Sequence, residues 1–322
     1  MAKIFTNFPN GIYQIPWLDR AVWLIVQPWG ELVVAKIGAQ ILHYQPSGHK
    51  PVFWLNSERQ RLELPKEVAL SSKPENRQQL IDTVHNYCNL KGTVSKHSPL
   101  RGGVPLCWPW FGAHSDDAAL PNHGLARDAL WQLTSCELTS QQSAATKLCF
   151  KPSQRLTADL TVQFSINVTK DNLQLEINSQ NIGSKALVMT QAIHSYFEVA
   201  NHQQIIVKGL KSSEFLDKLD SNQLKYQAHE LTNINEIDNI YKHSAEAVII
   251  DQAYNREIIL TKSNSDSTVV WNPADKAKSI GINADYRQFI CVEAANTVVD
   301  EVCLKPLGSF SMRQNIAVKH LI

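Results

Sequence analysis

The sequence has no excess charge of either sign, no ordered cysteine spacing and no long apolar run. Its 31 basic and 30 acidic side chains nearly cancel. No general field therefore draws the chain to nucleic acid or to an anionic membrane, and an anion would have to be gripped locally. No apolar run approaches the ~18 residues that cross a bilayer. The opening MAKIFTNFPNG lacks the basic start, apolar centre and small-residue cleavage site of a secretory leader. Cys88, Cys107, Cys136, Cys149, Cys291 and Cys303 are scattered without a C-x-x-C, which argues against a zinc ribbon or a disulfide framework and for a reducing, cytoplasmic setting. Also missing are a glycine-rich phosphate loop, a G-x-S-x-G elbow, an internal repeat and, at the candidate site positions, a short-spaced ligand pair such as H-x-D. These gaps speak against a doubly wound nucleotide fold and a serine nucleophile, and no metal or cofactor is expected.

What is present is β-structure. The chain of 322 residues, 43% of them hydrophobic, is long enough for one large β-domain or for two domains. No shift in composition marks a boundary, so the expectation is a single all-β domain over 1–322, a large antiparallel β-sandwich. Residues 21–42 read as two or three short strands broken at Pro28-Trp29-Gly30 and at Gly38. Residues 160–168, LTVQFSINV, alternate apolar and polar without a slip. Residues 173–177 do the same after a Lys170-Asp171-Asn172 turn, which predicts a hairpin with one wet face. Short strands follow at 186–199, 205–207, 248–250, 257–261, 268–271, 289–292 and 310–312. Residues 56–99 show no clean period and read as a long irregular connection with one helical turn.

The densest chemistry lies in residues 101–127, RGGVPLCWPWFGAHSDDAALPNHGLAR. Gly102-Gly103 and three prolines suit a shaped loop rather than a regular element. Trp108, Trp110 and Phe111 are flat surfaces of the kind that stack on sugar rings, and Arg101 and Arg127 can grip an anion bidentately. The same composition also fits a buried aromatic loop flanked by surface arginines. Downstream, His194 falls in MTQAIHSYFEV, where strand alternation puts Thr190, Ala192, His194 and Tyr196 on one face. Asp238 falls in NEIDNIY, where it also suits an Asx turn. Glu293 lies in QFICVEAAN, where a buried carboxylate needs a partner or a function. Two histidines with carboxylates also compose a facial triad for iron or manganese, though not at short spacing.

Six stretches, RGGVPLCWPWFG, NHGLAR, IHSYFEV, IDNIY, VVWNP and ICVEAAN, occur in the order seen in the aldose 1-epimerase family, and the chain resembles that family's hexose-6-phosphate mutarotase branch. The resemblance covers roughly residues 99–296 and departs at Leu125, where the family usually has Phe. It implies a galactose-mutarotase-like sandwich that interconverts the α and β anomers of glucose 6-phosphate and similar aldose phosphates. It further implies Glu293 as base, His194 as acid, His123 and Asp238 as sugar-positioning groups, and Arg101 and Arg127 as phosphate-binding groups. The expected partner is a small hexose 6-phosphate taken by a monomer, with neither nucleic acid nor membrane involved. An epimerase of unphosphorylated sugars and a silent sugar-phosphate binder are the alternatives.

Overall fold

The computed structural model describes residues 3–66, 77–138, 145–282 and 284–321. Two eight-stranded antiparallel sheets dominate it. One runs in the order Ile206–Lys208, Ala247–Asp251, Arg256–Ser263, Ser309–His320, Leu173–Asn181, Leu160–Val168, Thr146–Pro152 and Trp131–Leu138. The other runs Gln223–Tyr226, Glu214–Asp217, Ile237–Lys242, Ser267–Asn272, Phe289–Asn296, Gln191–Ile193 and Leu106–Cys107, with Tyr196–Glu198 also paired to Phe289–Asn296. Phe150, Phe164, Leu175 and Met312 of the first sheet share one buried cluster with Ile193, Phe197, Val270 and Val292 of the second. The expected β-sandwich is thus the observed architecture, and its core lies between the sheets.

The predicted hairpin forms, with Val168 opposite Leu173 and strictly alternating burial along Leu160–Val168. Its second strand continues to Asn181, beyond the expected end. At the N-terminus the strands are Arg20–Gln27, Gly30–Ala35 and Ile41–Pro46. Their near-continuous apolar runs have a physical cause, because both faces of this sheet are covered. Trp23, Ile25, Leu32 and Val34 enter the main core, while Val22, Leu24, Val26 and Val33 enter a second cluster. Gly30 starts its strand at φ 140°, where a Cβ would lie 2.0 Å from the Gln45 carbonyl oxygen, so no other residue fits there. Gly11–Trp17 adds an edge strand, the place where a sheet tolerates Pro16.

Two expectations need correction. Residues 56–99 are not an irregular connection with one helical turn, since Arg77–Lys91 is a 15-residue α-helix; residues 67–76 lie outside the described residues. Leu80, Val84 and Cys88, spaced by four, form its buried stripe and seal the second cluster over the N-terminal sheet. A mostly polar composition masked that spacing. The second correction concerns 186–199, which is not one regular strand but three short ones, Leu187–Met189, Gln191–Ile193 and Tyr196–Glu198. The breaks fall beside Thr190 and at His194-Ser195, where the backbone bonds leave the neighbouring strand.

Candidate active site

The register of one sheet builds the floor of a hollow. Ile193 pairs with Ala294 and Tyr196 with Cys291, so the unbroken register sets His194 directly opposite Glu293, about a hundred residues later in the chain. Side chains directly opposed on one face lie ~4.5–5.5 Å apart at Cβ. Here His194 Nδ1 is 3.2 Å from Glu293 Oε1. The ladder is missing at this step because His194 N–H donates to the Pro105 carbonyl and Tyr196 N–H to the Gly103 carbonyl, which ties the strand to the segment carrying Arg101. The faces survive the break: His194 stacks on Tyr196 with ring centroids 4.8 Å apart and planes 8° from parallel, while Ser195 turns inward and donates to Gln314 Oε1.

The remaining walls come from neighbouring strands and from the 101–127 loop. Asp238 pairs in register with Trp271, and Val269 with Glu293, so Asp238, Val269, Trp271 and Glu293 line one concave surface. His123 sits at φ 69° and Gly124 at φ 79°. A Cβ on Gly124 would lie 2.1 Å from the Trp108 carbonyl oxygen, so the glycine lets the bend close. His123 Nδ1 accepts the Gly112 backbone N–H at 3.2 Å. The proton of the neutral ring is therefore on Nε2, as a donor. Burial, helped by Arg127 and then Lys218, pushes the His123 imidazole down to about 4.

All six residues singled out from the sequence, Arg101, His123, Arg127, His194, Asp238 and Glu293, line this single hollow of about 240 Å³. Among the described residues neither the Arg101 nor the Arg127 guanidinium has a hydrogen-bond or ion-pair partner. Asp238 does have one, Lys218 Nζ at 2.9 Å; burial raises its carboxyl above the ordinary value and Lys218 opposes the rise. Glu293 is 1% exposed, and neither of its carboxylate oxygens nor His194 Nδ1 has a well-formed hydrogen bond. Burial lifts the Glu293 carboxyl well above the usual range, with Asp238 adding to it and Lys218 opposing. Burial likewise depresses the His194 imidazole, followed by His123, Arg127 and Arg101. Both shifts favour a protonated carboxyl beside a neutral imidazole, one proton for the pair.

Lys218 and Trp271 were not singled out from the sequence, and Tyr196 only as a neighbour of His194 on its strand face. Trp271 lay in the VVWNP stretch without a role, and Lys218, in DKLD, carries no local signal at all. Conversely Trp108 is not a sugar-stacking surface: it is fully buried and donates from Nε1 to Ser179 Oγ. Ligand atoms of His194, Cys291 and Glu293 lie within 4.8 Å of one another. A tetrahedral zinc would need them ~3.4–3.8 Å apart. Burial pushes the Cys291 thiol well above its ordinary value, and Arg101, Arg127 and Lys218 already line the same hollow, so the donor set suits a cation poorly.

A sandwich whose concave sheet presents a buried imidazole–carboxylate pair beneath a cationic rim is of the galactose-mutarotase-like class, and solved structures of that class superpose on it. One is titled a "putative mutarotase" from Salmonella typhimurium, with TM-score 0.74, 25% identity, 94% of this chain and 91% of that chain. A galactose mutarotase-like protein from Clostridium acetobutylicum gives TM-score 0.62 at 13% identity, over 97% of this chain and 99% of that one, a likeness of fold. Residues 70–317 match the aldose 1-epimerase family, and the chain belongs to that family. Among curated relatives, a protein of Escherichia coli K12 named "Putative glucose-6-phosphate 1-epimerase" is 29% identical over 295 residues, 86% of this chain and 84% of its own. One from Cenchrus ciliaris bearing the same name is 28% identical over 239 residues, 68% and 70% of the two chains.

Proposed function

We propose that this aldose 1-epimerase family member is a hexose-6-phosphate mutarotase, interconverting the α and β anomers of glucose 6-phosphate or a close relative by acid–base ring opening. The observation that carries the proposal is the 3.2 Å approach of His194 Nδ1 to Glu293 Oε1, with two guanidiniums that have no partner among the described residues lining the same hollow. Mutarotation moves one proton off the anomeric hydroxyl and one onto the ring oxygen, and both oxygens are bonded to C1. A proton acceptor and a donor within one hydrogen-bond step of each other match that demand.

Burial favours a carboxylic acid beside a neutral imidazole. Shifting the shared proton gives carboxylate and imidazolium, the form that Lys218 favours at Glu293. Glu293 then takes the proton from O1 as His194 delivers one to the ring oxygen, and the C1–ring-oxygen bond breaks to leave an aldehyde. Rotation about C1–C2 exposes the other carbonyl face, and closure returns both protons with the roles exchanged. The Nε2–H of His123 and the carboxylate of Asp238 offer a donor and an acceptor to the sugar hydroxyls. Arg101 and Arg127 offer the phosphate charge-assisted bonds remote from C1, and that binding energy orients the ring.

Cys88, Cys107, Cys149, Cys291 and Cys303 are thiols, the first four of them buried, and they support the further reading that the protein works in a reducing compartment. Exchange NMR on equilibrated glucose 6-phosphate tests the function directly. We expect anomer exchange far above the buffer rate and a lower kcat/KM on galactose. Exchange no faster than in buffer sinks the enzyme reading, while equal kcat/KM on the two sugars would leave an aldose epimerase indifferent to phosphate.

A further inference from the structure

We propose that Gln314, a side chain of the opposite sheet, is a positioning residue for the acid–base pair, holding the backbone that carries His194 against the strand that carries Glu293 from behind. The proposal rests on the reading of the hollow as a mutarotase site and adds to it a residue that acts through others and touches no sugar.

The need for such a support comes from the turn at His194. Ser195 N–H donates back to the Ile193 carbonyl at 2.9 Å, so His194 stands at the centre of a three-residue turn between the strands Gln191–Ile193 and Tyr196–Glu198. The other backbone bond of this step also leads away from the Glu293 strand, from His194 N–H to the Pro105 carbonyl at 3.1 Å. Glu293 by contrast lies within an unbroken strand, paired with Val269. An imidazole on a turn and a carboxylate on a ladder keep their 3.2 Å approach only if the turn is fastened to the ladder.

Gln314 makes that fastening. Tyr196 pairs with Cys291, so the register sets Ser195 opposite Val292. Gln314 Oε1 accepts the Ser195 hydroxyl proton at 2.7 Å, and Gln314 Nε2 donates to the Val292 carbonyl at 3.2 Å. One amide thus grips the residue after the imidazole and the residue before the carboxylate. Ser195 is fully buried and Gln314 is 2% exposed, so both bonds lie where a low local dielectric strengthens them.

The amide is otherwise out of place. Met312 and Ile316, two positions before and after it on the strand Ser309–His320, face the apolar core, and strand alternation puts Gln314 on the same face. Burying an amide there costs free energy unless its ends are bonded. Lys262, directly across on the strand Arg256–Ser263, is turned to the Ser267 carbonyl. Methionine or leucine would fill the position without the desolvation cost, so the polarity is explained by what the side chain holds.

The test reads kcat and KM for glucose 6-phosphate by exchange NMR. Gln314→Met should lower kcat ~10–100-fold, the scale of a misplacement of about 1 Å, and leave KM within about twofold. Ser195→Ala should lower kcat less, and the double variant should be no slower than Gln314→Met alone, because hydroxyl and amide form one tie. Thr146→Val serves as control: it removes an equally buried hydroxyl, one that accepts from Trp29 Nε1 at 3.2 Å and does not line the hollow. It should melt lower with kcat unchanged. An unchanged kcat in folded Gln314→Met, losses that multiply in the double variant, or an equal kcat loss in Thr146→Val overturns the proposal. If Gln314→Met does not fold, Ser195→Ala decides alone, and unchanged kcat there overturns it. Wild-type exchange no faster than in buffer sinks the mutarotase reading instead. The tie is then judged by the ring signals of His194 in ¹⁵N-histidine-labelled protein, identified by their loss in His194→Asn. Signals that move in Ser195→Ala while those of His123 stay uphold the positioning of the imidazole, and unmoved signals overturn it.

Discussion

The floor and the rim of the hollow are built by different means. On the floor, Glu293 and His194 are side chains of adjacent strands, opposed by register and buried on every side but one. On the rim, Arg101, His123 and Arg127 hang from irregular backbone on either side of the two-residue strand Leu106–Cys107, fixed by isolated backbone bonds and by glycines that admit closely approaching carbonyls. Register positions two groups to within a fraction of an ångström and excludes water, as proton transfer requires. A loop offers half-exposed cations that can follow a phosphate. The proposed chemistry therefore lies on the rigid part, and the proposed recognition on the adaptable part.

The sharpest way to break this contrast is on the floor. Glu293→Gln and His194→Asn should each cut the anomerisation rate of glucose 6-phosphate by ~10²–10⁴-fold, read by exchange NMR. Because the wild-type carboxyl is buried without a well-formed hydrogen bond, Glu293→Gln should melt no lower than wild type. A folded variant with full activity would remove that residue from the mechanism.

On the rim the expected effect is smaller and falls on binding. Arg127→Ala should raise KM for glucose 6-phosphate by ~10–100-fold, the worth of one or two charged hydrogen bonds, and leave kcat on galactose nearly unchanged. An equal loss on both sugars would make Arg127 structural. The loop geometry itself is tested by Gly124→Ala. With a Cβ 2.1 Å from the Trp108 carbonyl oxygen, the substitution should cost ~1–3 kcal/mol of stability in urea titration and displace His123. An unchanged midpoint would show that the loop yields.

The mildest prediction concerns pH. Burial pushes His123 and His243 down to about 4, whereas in the unfolded chain they take protons from ~6.5 downward. Between those values the unfolded state holds more protons, so the melting temperature should fall as pH drops from 7 toward 4. Within that fall, activity should stay nearly level around neutrality, because the Glu293–His194 pair keeps its single proton there. Calorimetry and initial rates on one pH series check both. A rate that tracks an ordinary imidazole titration near 6.5 would contradict the shared-proton pair.

Much of this was legible beforehand, and what was missed has identifiable causes. The hairpin at Leu160–Val168 was readable because one wet face enforces alternation. The Arg77–Lys91 helix was passed over although Leu80, Val84 and Cys88 carried its period, since the other positions are polar. The strand at Gly11–Trp17 was hidden by Pro16, which only an edge position admits. Trp108, grouped with Trp110 and Phe111 by its place in the sequence, proved to be core. Lys218 could not have been found, because its role depends on Asp238 and Phe111 lying across from it.

Sequence alone determined the strand periods, the turn chemistry of glycine and proline, and the kinds of side chain available for proton transfer and anion binding, because each depends on neighbours a few residues away. Only the tertiary structure decided that His194 faces Glu293 and that Trp271 and Lys218 join the hollow. Those relations follow from strand order and register across most of the chain, and local composition does not encode which distant strand will lie alongside.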